Sequence, residues 1–200
     1  MKKLLAIFAL FALSTGVLHG YTSSQLDAAN TLADEWIINH NGSNPAGYKL
    51  DQNVLRQEIA AVARGVAGIS KTSSCSNSFS DVSATNPNTW ACYSVEALLN
   101  ADLIASNSTF RPEDNITKAE WLGMLVKAAC GDDYSYDSSK WWSWQEQVVS
   151  YASGLTIVEN FTDYNTPATR GWVFETGANA MTVCGEDTEA LELLESLLDL

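Results

Sequence analysis

The chain has 200 residues, of which 46% are apolar and 18% charged, a composition typical of a globular protein with a core of its own. Its formal net charge of −13 argues against nucleic acid as a partner, because phosphates need a basic surface, and against electrostatic binding to an anionic membrane. Seven tryptophans are many for this length, and their flat apolar rings suit both a core and stacking on sugars.

The first 20 residues have the pattern of a secretory signal peptide. Lys2 and Lys3 form a short positive region, residues 4–13 form an apolar stretch, and Gly20 is a plausible last residue before cleavage. The apolar stretch is too short to span a bilayer and no second one follows. We therefore expect a secreted protein with no integral membrane span after cleavage, and retention of the segment as an anchor is the alternative.

A first helix pair is predicted at about residues 21–70. Its first helix runs from Ser24 to about Asn39 with Trp36 facing inward, and a Gly/Asn/Pro-rich loop ends it. An aromatic lead-in at Tyr48 precedes the second helix, which has an apolar stripe at helical spacing.

The second pair, at about residues 79–130, has the clearest pattern. It begins Phe79-Ser80-Asp81-Val82, and its first helix starts at about Asn88. After the lead-in 110–115, Thr117 and Glu120 form a capping box, in which a hydroxyl and a carboxylate satisfy amides of the first helical turn.

A third pair is predicted at about residues 138–184, followed by a tail. Its first helix runs from Lys140 to Ser153 with Gly154 as its end, and Ala168-Thr169-Arg170 repeats the start of the second helix. Residues 186–200 predict an acidic amphipathic helix that closes the domain, with docking of a partner as the alternative. No linker separates the pairs, so residues 21–185 are interpreted as a single domain.

The four cysteines predict two disulfides, because an even number in an exported chain is typical of such bonds. The sequence leaves three pairings open. We favour Cys75–Cys92, which closes a short loop between consecutive helices, and Cys130–Cys184, which ties the ends of the second and third pairs. No cysteine pair has the spacing of a zinc site, and we predict no metal and no cofactor.

The second pair resembles the S-layer homology repeat. The resemblance rests on Phe79-Ser80-Asp81-Val82, Trp90, Phe110-Arg111-Pro112 and residues 116–120, Ile-Thr-Lys-Ala-Glu. The outer copies match in part: Leu55 stands where threonine is expected, and Trp172 stands where glutamate is expected. The resemblance implies an all-α fold, in which three helix-pair repeats form a pseudo-threefold bundle, here with an added C-terminal helix.

The resemblance also implies binding of cell-wall polysaccharide in grooves between repeats. The basic residue of the Ile-Thr-Lys-like start helps to hold the sugar acid, which points to Arg56, Lys118 and Arg170, with Glu120 beside them. Physical chemistry agrees, because a cation next to outward-pointing amides of a helix start makes an anion site. The alternative is that each cation forms a local ion pair or is a solvated surface residue.

Several aromatic and acidic residues need separate interpretation. We interpret Trp90 as core and Asp81 as a turn or cap residue. Trp141 and Trp144 share a predicted helix face, so one of them should be core. Trp142 points elsewhere and is predicted to be a sugar-stacking platform or an interface anchor.

These observations favour a non-catalytic protein of the cell surface or cell wall. Its predicted partners are a wall polysaccharide and further copies of itself in a surface lattice. The polysaccharide is expected to be anionic if the basic residues contact it. The alternative is a structural protein that self-assembles, or a protein-binding adaptor, without glycan binding. The sequence contains no hydrolase or phosphate-loop motif, which argues against an enzyme.

Overall fold

The structure is a computed structural model that describes residues 20–40, 45–131 and 134–198, with side chains as far as residue 185. The predicted signal peptide up to residue 19 lies outside the described residues. Within this part of the chain the fold is all-α, as expected, with one short 3-10 turn at Pro45–Tyr48. The helices are α1 Ser23–Asp34, α2 Arg56–Val66, α3 Thr89–Asn100, α4 Lys118–Cys130, α5 Trp144–Gly154 and α6 Arg170–Leu198.

The helix starts follow from local capping chemistry. Thr117 accepts a hydrogen bond from the Glu120 amide, and the Glu120 carboxylate accepts from the Thr117 amide at 3.0 Å, so the predicted capping box is present. At the start of α2 only half of this arrangement exists, because Leu55 has no hydroxyl; Glu58 accepts from the Leu55 amide at 3.0 Å. Each half satisfies an amide that the helix itself leaves unpaired.

A closed ring of backbone hydrogen bonds joins the three helix pairs, α1–α2, α3–α4 and α5–α6. The Val54 amide donates to Ala168, Ala168 donates to Ile116, and Ile116 donates to Val54, at 2.9–3.1 Å. Ile116 and Ala168 are fully buried and Val54 almost so. Each pair therefore contributes one equivalent segment to the centre of the molecule, in agreement with a pseudo-threefold arrangement.

The first helix of each pair ends in the same way, and the predicted end of α1 near Asn39 is wrong. This helix ends at Asp34 rather than near Asn39. Trp36 follows in the left-handed region at φ 59°, and corresponding conformations occur at Asp102 (φ 55°) and Thr156 (φ 61°). The next amide, that of Ile37, returns to the Leu32 carbonyl at 2.9 Å, which is the bonding of a Schellman motif.

The structure also corrects three tryptophans. Trp36 was expected to face inward and is 91% exposed, and Trp90 was interpreted as core and is 46% exposed. The third pair's first helix begins at Trp144, not Lys140, because Ser143 caps it. Trp141 therefore precedes the helix, and both it and Trp144 are exposed instead of one being core. The fully buried tryptophan is Trp121.

Covalent bonds and the long last helix complete the fold. Both predicted disulfides, Cys75–Cys92 and Cys130–Cys184, are present. The helix predicted at 186–200 is continuous with the third pair, since α6 runs without interruption to Leu198. No helix in the described segments has the length and apolarity needed to cross a bilayer.

Candidate functional site: grooves between the helix pairs

The three candidate cations occupy one structural position. Arg56, Lys118 and Arg170 are the first residues of α2, α4 and α6. Their amides donate to carbonyls of another pair, Arg56 to Asp114 at 2.9 Å, Lys118 to Thr166 at 3.0 Å and Arg170 to Gln52 at 2.8 Å. The expectation of outward-pointing amides beside each cation is therefore wrong, because these amides donate to carbonyls of a neighbouring pair. Any anion at these positions must be held by side chains.

Arg56 spans the boundary between the first and second pairs. Its Nη1 lies 2.9 Å from a Glu120 carboxylate oxygen, and its Nε donates to the Phe110 carbonyl at 2.8 Å. The guanidinium also lies 5.1 Å from the centre of the Phe110 ring, within cation–π range. Burial lowers the pKa of Arg56, while the charge of Glu120 opposes this change. The side chain is thus a positioned, partly desolvated cation.

Arg170 forms the corresponding ion pair between the third and first pairs, without the carbonyl hydrogen bond that Arg56 Nε makes. It forms an ion pair and a hydrogen bond with Glu58, which occupies the position in α2 that Glu120 occupies in α4. Its Nε is buried and makes no hydrogen bond. A buried donor without a hydrogen-bond partner costs free energy, and this one has no contact with solvent.

Lys118 has different surroundings, because Trp172 stands where the glutamate would be. Its Nζ donates to Asp163 at 2.7 Å and lies 5.2 Å from the Phe161 ring and 5.8 Å from the Trp172 ring. The hydrogen bond from Lys118 is the largest cause of a lowered pKa at Asp163. The sequence placed the three cations at matching positions correctly, but it did not reveal this different partner.

Three grooves lie on the described surface; residues of several helix pairs line two of them, and residues of the third pair alone line the third. The Arg56 groove, of about 500 Å³, is lined by Arg56, Phe110, Glu120, Lys127 and Trp144 among others. The Arg170 groove, of about 700 Å³, is lined by Trp36, Lys49, Glu58, Arg64, Trp90 and Arg170 among others. The Trp172 groove, of about 560 Å³, is lined by Glu159, Trp172, Glu175 and Asn179 among others.

Comparison with known proteins finds a family match within the second helix pair. Residues 78–120 match the model of the S-layer homology domain. The predicted resemblance to the S-layer homology domain family is confirmed. A Middle cell wall protein of Brevibacillus brevis (strain 47) is 30% identical to the chain over 141 residues, which is 68% of this chain. The matched segment spans 13% of that relative's length.

The S-layer homology match includes several residues whose roles the geometry explains. The Asp81 carboxylate accepts from the amides of Phe110 and Arg111 at 2.8 and 2.7 Å, so it holds the lead-in segment, as its interpretation as a turn or cap residue predicted. Phe79 is buried and its ring packs edge-on against Phe110 at 5.6 Å. These contacts fix the Phe110 carbonyl and ring against which Arg56 rests.

Sequence reasoning missed the aromatic walls of the grooves. Trp90 and Trp144 lie in the first turns of corresponding helices, α3 and α5, and each lines a groove that also contains a cation from a different pair. Trp142 lies in the turn before α5, half-buried, with the Lys140 Nζ 5.7 Å from its ring, and is not among the residues that line the three grooves. Its role as a stacking platform stays a prediction.

The one cluster of metal-ligating residue types in the described chain is Cys75, Cys92 and Glu96. Both sulfurs belong to a disulfide, and Glu96 accepts from the amide and hydroxyl of Ser78 at 2.9 and 2.7 Å. A disulfide sulfur is not the thiolate that binds zinc. The cluster is therefore explained as structural.

Glu120 makes stability depend on acidity in a predictable direction. Burial raises the pKa of Glu120, but the hydrogen bond from Thr117 and the charges of Arg56 and Arg111 outweigh it, so the pKa is lowered overall. The ionised carboxylate therefore stabilises the fold above the unfolded-state pKa of about 4.3, and this contribution is lost as pH falls through the lower folded-state value.

We expect Glu120→Gln to flatten the acid side of the stability profile. Urea unfolding of wild type and variant between about pH 6 and pH 3 measures the effect, and the difference between them should shrink as pH falls through the lowered pKa. Parallel profiles over this range would show that Glu120 contributes no proton linkage.

Proposed function

We propose that this protein is a non-catalytic component of the cell surface that attaches to the cell wall by binding a wall polysaccharide in grooves between its helix pairs. One observation carries the proposal: Arg56 and Arg170 start the second helices of two pairs, and each lines a groove between pairs together with a tryptophan, Trp144 or Trp90. Cations suit an acidic substituent and rings suit the apolar face of a sugar. The family match and the cell wall relative support the predicted location at the cell surface.

The Arg56 groove shows what the arrangement does chemically. Arg56 is held by Glu120 and by the Phe110 carbonyl, so little side-chain entropy remains to be lost when a ligand binds. Lys127 and Trp144 line the same groove. In this account an acidic sugar contacts the two cations while its apolar face packs on Trp144.

Replacing Arg56 by alanine is expected to weaken binding to purified cell-wall sacculi about ten- to a hundredfold, the loss typical of a hydrogen bond to a charged group. The measurement is co-sedimentation of the protein, without residues 1–20, over a range of sacculus concentrations. The fold should survive, because Arg111 also contacts Glu120, at 2.5 Å.

The matched control is Lys71→Ala, which removes the same charge from an exposed position outside the three grooves. Both variants must show the wild-type circular dichroism spectrum. Equal pelleting of Arg56→Ala and wild type would remove Arg56 from the binding site. A folded wild-type protein that stays in the supernatant would contradict wall attachment and favour self-assembly.

A further inference from the structure

The three grooves differ in the helix pairs that line them, in charge and in aromatic surface. We propose that the Arg170 groove is the principal site for the acidic saccharide, with Trp36 and Lys49 as additional ligand-contacting residues, and that the Trp172 groove binds none. This inference rests on the proposed function and adds an order among the grooves.

Charge separates the grooves most clearly. The Arg170 groove is lined by three cationic side chains, Lys49, Arg64 and Arg170, against the single carboxylate of Glu58. The Arg56 groove has two, Arg56 and Lys127, against Glu120.

Glu159 and Glu175 line the Trp172 groove, and none of the described residues that line it is a cation. In a chain with a net charge of −13, an excess of two positive charges in one groove is a local exception. An anion is therefore attracted to the Arg170 groove and repelled by the Trp172 groove.

Cations in the Arg170 groove also keep unused hydrogen-bonding capacity. The Nε atoms of Arg64 and Arg170 are buried and have no hydrogen-bond partner, although Arg64 donates through Nη1 to the Ile69 carbonyl at 2.7 Å. Lys49 is exposed at the edge of the groove. A carboxylate in the groove can accept from the exposed Lys49 ammonium, whereas the two buried Nε atoms are reached only after their guanidinium groups move.

Trp36 provides the second argument, because nothing in the fold requires a tryptophan there. It occupies the left-handed end of α1, at the position that Asp102 and Thr156 occupy in the other pairs. A bulky side chain in this conformation is unfavourable, and at 91% exposure the indole gains almost no burial in return.

The backbone around Trp36 holds the ring at the groove edge. The Trp36 amide donates to the Ala33 carbonyl at 3.0 Å, and the amide of Ile37 donates to Leu32. Trp90, 46% exposed, lines the same groove from the start of α3. Two exposed indoles beside three cations fit a saccharide with apolar ring faces and an acidic group.

Lys118 completes the contrast. Its ammonium is paired with Asp163 and covered by the rings of Phe161 and Trp172, and it does not line the Trp172 groove. Lys118 therefore serves as a clamp between the second and third pairs rather than as a ligand contact.

The test is co-sedimentation with sacculi from the producing organism for Trp36→Asn, Lys49→Asn, Arg170→Gln and Lys118→Gln. Asparagine tolerates the left-handed conformation of Trp36 and Lys49, and both side chains are exposed, so these two variants keep the fold. We expect Arg170→Gln to weaken binding about tenfold or more, the two asparagine variants about three- to tenfold, and Lys118→Gln less than twofold.

Trp141→Ala is the matched control for Trp36, since it removes an 88% exposed tryptophan outside the grooves. The order among the grooves is overturned if the Lys118 and Arg170 variants lose pelleting equally, or if the Trp36 and Lys49 variants pellet like wild type. In both cases wild type still pellets, so wall attachment stands. No pelleting of folded wild type overturns the proposed function and this inference together.

Discussion

Replacing Trp121 by alanine is expected to lower the free energy of unfolding by about 3–5 kcal/mol, the cost of deleting a large buried aromatic side chain. Trp121 is fully buried in α4, and its indole nitrogen donates to the Thr176 hydroxyl of α6 at 2.8 Å. The substitution removes that hydrogen bond and leaves a cavity between α4 and α6. Urea unfolding followed by circular dichroism measures the change.

Trp141→Ala is the control for Trp121→Ala, because an 88% exposed indole contributes little to packing. Its unfolding free energy should lie within about 0.5 kcal/mol of wild type. Similar destabilisation by both substitutions would contradict the arrangement of α4 against α6. Of the seven tryptophans, Trp121 is the one that the structure buries fully.

Removing the Cys130–Cys184 disulfide is the second large effect. The bond closes a loop with a sequence separation of 54, for which the loss of unfolded-chain entropy predicts about 4 kcal/mol of stabilisation. The corresponding value for Cys75–Cys92, with a separation of 17, is about 3 kcal/mol. Alanine pairs at both sites, unfolded in urea, compare the two bonds.

The disulfide experiment has an independent check. Denatured, unreduced wild type should take up no alkylating reagent, because no free cysteine is present. The free energy of unfolding of the Cys130→Ala/Cys184→Ala variant should be lower than that of the Cys75→Ala/Cys92→Ala variant, or equal to it within error. Alkylation of the unreduced wild type, or a loss below about 1 kcal/mol for this pair, would contradict the covalent tie between α4 and α6.

Local chemistry explains what the sequence predicted well. The Thr117–Glu120 capping box, the apolar stripes of α2 and α4 and the caps before α3 involve residues within one or two helical turns. Such interactions are readable from spacing alone. The middle pair, where every local signal agrees, is also where the S-layer homology match falls.

Helix ends without glycine were harder to predict. Trp36, Asp102 and Thr156 all adopt the left-handed conformation at a helix end. Glycine usually occupies such a position, and its absence here removes the usual sequence signal. The informative feature is the apolar residue after each of them, since Ile37, Leu103 and Ile157 return their amides to the helix. A search for this apolar residue, and not for glycine, would have ended α1 at the correct turn.

Relations between helix pairs could not be read from the sequence. The Arg56 groove takes its cation from the first pair, Glu120 from the second and Trp144 from the third. The use of helix-start amides by a neighbouring pair, and the pairing of Lys118 with Asp163, depend on the same long-range arrangement. Matching residues by motif identified equivalent positions but not their surroundings.

Wall attachment is tested most directly by removing the polysaccharide from the wall. Sacculi from the producing organism are treated with hydrofluoric acid, which releases phosphodiester-linked polymers and leaves peptidoglycan, and pelleting of the protein is compared before and after treatment. The account predicts pelleting with untreated sacculi, its loss after extraction, and competition by the released polysaccharide. Equal pelleting with extracted peptidoglycan, or none with either preparation, would contradict it.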